Sequence, residues 1–266
     1  MGATPAREAL LAAVERSPRA AAAHDRAGWG ALFTDEARVE DPVGSRPHIG
    51  HEQIGRFYDT FIAPREITFH RDLDIVFGTV VLRDLELEVA MGPRVTMYIP
   101  AFLRYDLRDL NGQWRIENLQ AYWELPAMML QFLSSGPRAV SPALQLSRGL
   151  LGNQRLRGMA GFLTGFRRVG AGRKKLADAF LRAAARRDHN AAARALSASA
   201  TITLGDHEAL DLAELAVQLD GATPTKTIGA GPTVTISVNS GHGRGILFAD
   251  MGWRGGTIDR IRYFPG

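Results

Sequence analysis

Asp41 is the residue of this chain best placed to do chemistry. It stands in the run Arg38-Val39-Glu40-Asp41-Pro42-Val43-Gly44-Ser45-Arg46-Pro47-His48-Ile49-Gly50. The pattern is a short strand that ends on a carboxylate and turns sharply into a loop. Proline fixes its own φ and disfavours the helical region for its predecessor, which holds Asp41 extended at the strand end. Alternation puts Ala37, Val39 and Asp41 on one face that is otherwise apolar. Apolar surroundings raise a carboxyl pKa toward working pH, as a general base requires. The competing reading at this level is a surface Asp that opens a turn.

Other candidate groups are weaker. Tyr58 lies on an amphipathic helix, and Tyr105 shares strand parity with Ala101 and Leu103, so both tyrosines are expected to face inward. Each is equally a core residue with a polar tip. His48 and His51 flank Gly50 without a third ligand nearby, so no metal site is expected. Gly241-His242-Gly243-Arg244-Gly245 lies between two strands, without the helix a phosphate loop needs. The stretch Gly165 to Gly170 mimics a phosphate loop until Ala171, where Lys is required. No cofactor is implied.

The elements that must carry these groups follow from periodicity. Thr4-Pro5 starts a helix that runs to about Arg16, and Ser17-Pro18 is expected to cap a second one through His24-Asp25. Trp29, Leu32 and Phe33 recur at helical spacing before Asp35-Glu36. After the Asp41 strand, Ile54, Phe57, Tyr58, Phe61 and Ile62 mark a helix stopped by Ala63-Pro64. Strands are expected over about Glu66–Phe77, Thr79–Met91, Val95–Leu107 and Gln113–Trp123, the last after an Asn111-Gly112 turn. This is an α+β domain, assigned to residues 1–131.

Residues 125–177 contain no Asp or Glu and nine Lys or Arg. Residues 132–172 are therefore read as a basic helical connector, packed on the domains with its arginines in solvent. Weak membrane-surface contact through 137–175 is the competing reading. From Arg173 the order of elements restarts: helices Leu176–Arg187 and Ala191–Leu196, a strand Ala200–Leu204, a helix Leu212–Leu219, then strands near Thr233–Val238, Arg244–Met251 and Thr257–Phe264. Residues 173–266 thus read as a second domain of the same kind. Ala31-Leu32 and Ala37-Arg38-Val39 align with Ala195-Leu196 and Ala200-Thr201-Ile202 through one gap. In that register Leu204 takes the place of Asp41.

Composition narrows the function. The chain of 266 residues has 45% hydrophobic and 23% charged residues, ordinary for a globular protein. With no cysteine, thiol catalysis, disulfides and Cys-based zinc sites are excluded. The net charge is +4, and no basic stripe is interleaved with aromatics, so a nucleic-acid partner is not expected. Apolar runs fall far below the ~18 residues that span a bilayer. The start lacks a signal-peptide pattern, and Ala6 stands where myristoylation wants Ser or Thr, so a cytoplasmic location is expected.

The run from Trp29 through Val39-Glu40-Asp41-Pro42-Val43-Gly44-Ser45, with Gly50 and Ile54-Gly55-Arg56-Phe57-Tyr58, resembles the bacterial ketosteroid isomerases. More broadly it is similar to the SnoaL-like, nuclear-transport-factor-2-like superfamily. The resemblance covers residues 1–131, while only the element order extends it over 173–266. It implies cone-shaped α+β domains, each a curved antiparallel sheet with helices across its open side. It also implies a small, bulky apolar ligand of steroid or polyketide type. The expected lining is Val39, Phe57, Phe61, Met97, Ile99, Ala101, Leu103, Tyr105 and Trp123, with Asp41 as base. Family members pair through the sheet, so the two domains are expected to pair internally as a pseudo-dimer. In the isomerases an Asp base works beside an oxyanion hole of one Tyr and one protonated Asp. Here the matching positions hold Ser17 and Ala101. Tyr58, backed by Tyr105 or Ser17, is the expected substitute donor. A ligand-binding or scaffold protein without catalysis is the alternative.

Overall fold

In the computed structural model, residues 6–91, 95–124, 126, 128, 170–252 and 256–266 are described. The chain divides into two compact units, Met1–Arg167 and Arg168–Gly266. The start at Thr4-Pro5 and nearly all of the basic connector lie outside the described residues. Only the last connector positions are described, and Ala171 already belongs to a helix.

In the first unit, helix α1 (Arg7–Ala22) is continuous through Pro18. The expected break at Ser17-Pro18 does not occur. An internal proline costs a helix roughly 3 kcal/mol. Here Leu10, Ala13, Val14, Ser17, Pro18 and Ala21 are all buried on the core side, and that burial offsets the cost. Helix α2 (Arg26–Gly30) is short and capped by Asp25, whose side chain accepts the Gly28 N–H. Phe33, expected on a helix, instead begins strand β1 (Phe33–Glu40), where it is buried.

A two-residue strand β2 (His48–Ile49) leads into helix α3 (Gly50–Phe57), which widens into a π-helical turn at Tyr58–Ile62. Strands β3 (Glu66–Phe77), β4 (Val80–Ala90), β5 (Thr96–Leu110) and β6 (Gln113–Tyr122) follow. The sheet order is β2-β1-β6-β5-β4-β3, and β1 runs parallel to β6 while the other pairs are antiparallel. Helices and sheet enclose one core in which Trp29, Phe33, Ile54, Phe57, Val81 and Leu85 meet.

The second unit repeats this plan. Helices α4 (Ala171–Ala185) and α5 (His189–Ala195) precede β7 (Leu196–Leu204), β8 (Glu208–Ala209) and α6 (Leu212–Gln218). Strands β9 (Thr223–Ala230), β10 (Thr233–Ser240), β11 (Gly243–Met251) and β12 (Ile258–Pro265) complete a sheet of order β8-β7-β12-β11-β10-β9. Strand β9 was not expected from the sequence, because Pro224 and Gly229 weaken its pattern. Both residues are tolerated because β9 is an edge strand. The architecture is α+β, two open six-stranded mixed sheets with helices, in two similar halves. Among the described residues no helix is long and apolar enough to cross a membrane.

Candidate active site

Asp41 stands one residue beyond β1, in a turn built by its neighbours. The Val43 N–H donates to the Ala121 carbonyl at 2.8 Å, which ties the loop to β6. The Ser45 N–H donates to the Pro42 carbonyl at 3.0 Å. The Glu40 carboxylate accepts the Gly44 N–H at 2.8 Å, and Gly44 has φ 94°, a conformation that favours glycine. The Asp41-Pro42 peptide bond is cis. Val-Glu-Asp-Pro-Val-Gly therefore closes on itself and leaves the Asp41 side chain directed away from the turn's own hydrogen bonds.

The Asp41 carboxylate receives one strong contact. Trp123, just past the end of β6, donates its indole N–H to Oδ1 at 2.5 Å. Asp41 lies deep in the protein yet keeps part of its surface accessible. Burial pushes its pKa up to about 6, and the Trp123 hydrogen bond works in the opposite direction. Asp41 therefore carries its charge at neutral pH while remaining close to the point where it accepts a proton.

The expected lining residues fall in adjoining groups. Val39, Phe57, Tyr58, Ala101, Leu103 and Tyr105 lie in the main core, with Phe61 and Trp123 packed against it and partly buried. Met97 and Ile99 belong to a neighbouring cluster with Val89, Met91 and Val95, and Trp123 also touches that one. The Trp123 ring thus borders both groups at the point where it holds Asp41.

The hydroxyl groups are arranged differently from the expected donor set. Ser17 accepts the Trp29 indole N–H at 3.1 Å and is hydrogen-bonded to Tyr105. Burial pushes the Tyr105 hydroxyl up to about 12, only partly countered by the nearby Arg83 guanidinium, so it stays a neutral O–H. Arg83 itself is 2% exposed and held by Asp74 at 2.8 and 3.0 Å and by Glu15 at 3.1 Å. That ion pair is satisfied and reads as structural.

Tyr58 packs its ring 5.3 Å from Trp29. Its hydroxyl is buried without a hydrogen-bond partner among the described residues. The groups that act on it electrostatically are Asp25, Asp59 and Arg26, after burial, and its pKa is raised. The Tyr58 hydroxyl therefore lies toward the Arg26–Asp59 ion pair, whereas Asp41 has Trp123 as its partner.

His48 and His51 do not converge. His51 pairs with Asp35 at 3.3 Å, while the His48 ring lies 5.2 Å from Phe57. No group of metal-ligating side chains forms among the described residues. Sequence reasoning placed Trp123 in the lining but missed that it donates to Asp41. An indole one residue beyond an inward-facing strand was the available signal, but its partner lies far away in the chain.

Residues 9–131 match the family model of the nuclear transport factor 2 (NTF2) domain. Several solved structures are similar to part of the chain. A Mycobacterium tuberculosis protein in complex with estradiol-17beta-hemisuccinate is 28% identical, covering 44% of this chain and 95% of that one, with TM-score 0.40. The Delta 5-3-ketosteroid isomerase from Mycobacterium sp. is 29% identical over 45% of this chain and 95% of that chain, with TM-score 0.41. An LEH-like epoxide hydrolase of M. tuberculosis is 17% identical over 52% and 99%, with TM-score 0.43. The part of the chain that is similar to the NTF2 domain is thus residues 9–131, which lie within the first unit.

Proposed function

We propose that the first domain binds a bulky apolar carbonyl compound of steroid or polyketide type, and that Asp41 moves a proton on it. The observation that carries this reading is the Asp41 carboxylate itself, set deep in the protein, held at 2.5 Å by the Trp123 N–H and lifted to about 6. A carboxylate with that pKa takes a proton from the carbon α to a carbonyl, leaving the electron pair on an enolate. It then returns the same proton to another carbon, which completes an isomerisation, or the enolate carbon attacks a second carbonyl of the ligand, whose oxygen takes the proton from Asp41, which completes a cyclisation.

The enolate oxygen needs a donor, and each one missing costs ~10²–10³ in rate. Ala101 supplies none. Of the hydroxyls expected from the sequence to serve, Ser17 and Tyr105 are hydrogen-bonded to each other, which leaves Tyr58. Tyr58 is our candidate because its hydroxyl is buried with no partner among the described residues, a state that costs ~1–3 kcal/mol until an acceptor arrives. Its place toward Arg26 and Asp59 favours the second reading, a carrier that binds such a ligand without turning it over.

A panel of β,γ-unsaturated steroid ketones and polyketide-like esters decides between them. We expect slow turnover by the wild type, lost by at least 10³-fold in Asp41→Asn and by about tenfold in Tyr58→Phe. Binding without turnover in every form would leave the carrier. Unchanged turnover in Asp41→Asn would overturn the base assignment.

A further inference from the structure

Arg65 follows the π-helical turn and folds back over it. Its Nη1 donates to the Thr60 carbonyl at 2.7 Å. That carbonyl is open because residue 64 is proline and has no N–H to give it. The guanidinium carbon lies 5.9 Å from the centre of the Phe61 ring, and the Phe61 ring lies 5.2 Å from Phe57. Arg65 thus sits at the outer end of the aromatic wall assigned to the ligand.

Its charge is not balanced. Two carboxylates lie within the same stretch of chain, and both are engaged elsewhere. Asp59 takes a two-pronged ion pair from Arg26 at 2.6 and 2.9 Å, and Glu66 pairs with His24 at 3.1 Å. Arg65 is half-buried and makes no ion pair among the described residues. Burial alone acts on it, pushing its pKa down to about 10, so it stays charged at neutral pH. A guanidinium carries five N–H groups, and only one is used on Thr60. On the other side of Phe57 the local charge has the same sign. His48 is held down to about 4 by burial and then by Arg56 and Arg46, so it is neutral at neutral pH and the charges acting on it are positive.

A desolvated charge with unused donors is costly unless a partner meets it. Planar, paired N–H groups fit a carboxylate in particular. We infer that Arg65 binds a carboxylate carried at one end of the apolar ligand, whose body packs along Phe61 and Phe57. This rests on the reading of an apolar ligand in the first domain and narrows it to amphipathic acids.

The test uses the full chain and two probes that differ only in charge, 3-oxocholanic acid and its methyl ester, titrated by calorimetry. The wild type is expected to bind the acid about tenfold more tightly than the ester. Arg65→Gln should bring the two within about twofold by weakening the acid alone. Arg65→Lys, which keeps the charge and loses the fork, should retain part of the preference. The unchanged ester affinity in both variants reports that the site is still folded. Equal affinities in the wild type, or a preference that survives in Arg65→Gln, would overturn the inference while leaving the apolar site in place. Failure of the wild type to bind either probe would overturn the apolar-ligand reading and this inference with it.

Discussion

The two halves of the chain share a backbone plan and differ in what they place inside it. His24 and Arg187 both take left-handed φ values, 52° and 57°. The next residues, Asp25 and Asp188, both cap a helix by accepting a backbone N–H three residues on. Phe33 pairs with Ile116 and Val39 with Leu119, while Leu196 pairs with Ile258 and Ile202 with Ile261, each set with a register shift between. One constant offset relates His24, Asp25, Phe33 and Val39 to Arg187, Asp188, Leu196 and Ile202, and a second, smaller one relates Ile116 and Leu119 to Ile258 and Ile261. The gap introduced to align Leu32 with Leu196 is unnecessary, since Phe33 is the residue that matches Leu196. Leu204 still falls opposite Asp41.

Carried through the sheet, those offsets and the strand pairing show what has changed. Ser17, Trp29 and Asp41 correspond to Phe180, Ala192 and Leu204. Tyr105 corresponds to Ala249 through its partners, Leu119 and Ile261. Ala121 and Ala101 correspond to Tyr263 and Gly245. In the second half the Tyr263 ring lies so close over Gly245 that a Cβ there would meet it at 2.6 Å. Where the first half has the methyl group of Ala121, the second has the phenol ring of Tyr263. The hydrogen-bonded set of Ser17, Trp29 and Tyr105 becomes aliphatic or aromatic carbon. At the positions of Ser17, Trp29, Asp41 and Tyr105 the first half keeps polar groups, which makes it the candidate for function, while the second places Phe180, Ala192, Leu204 and Ala249 there.

Tyr263→Ala tests that packing and should have the largest effect. Tyr263 is 2% exposed, and removing a ring from such a site costs roughly 3–5 kcal/mol. The unfolding transition of the second half should move to clearly lower denaturant, with ligand binding by the first half unaltered. A loss below 1 kcal/mol would mean the second half has room to spare, and the contrast between the halves would weaken. A smaller effect is expected for Trp123→Phe. The ring remains, but the N–H that favours the charged Asp41 is gone, so the carboxyl titration should move upward by about one unit. A downward shift would contradict the role given to the indole.

Much of this plan was legible in the sequence where the signal is local. The spacing of Ile54, Phe57, Phe61 and Ile62 marked α3 and its continuation, and the Asn111-Gly112 turn set β6. Asp41 was found because proline and strand parity act within a few residues of it. Where tertiary packing outweighs local preference, the reading failed. Pro18 sits inside a helix because its face is buried, and Pro224 sits in a strand because that strand is an edge. The Trp123–Asp41 hydrogen bond and the unbalanced charge of Arg65 are both contacts between distant residues, or the lack of one. Spacing along the chain does not encode them.

The central claim is that the first half holds a carboxylate poised to exchange a proton near neutral pH. The direct measurement is a carbon-detected NMR titration of the Asp41 carboxyl, assigned by loss of its signal in Asp41→Asn. Because the folded pKa is raised from the ordinary aspartate value of 3.8 to about 6, the folded form holds the proton over that interval while the unfolded form releases it. Stability should therefore fall as pH rises between those two values, and the fall should be absent in Asp41→Asn. A midpoint near 6 is the result this account predicts. A midpoint near 4, the value of an ordinary exposed Asp, would contradict it.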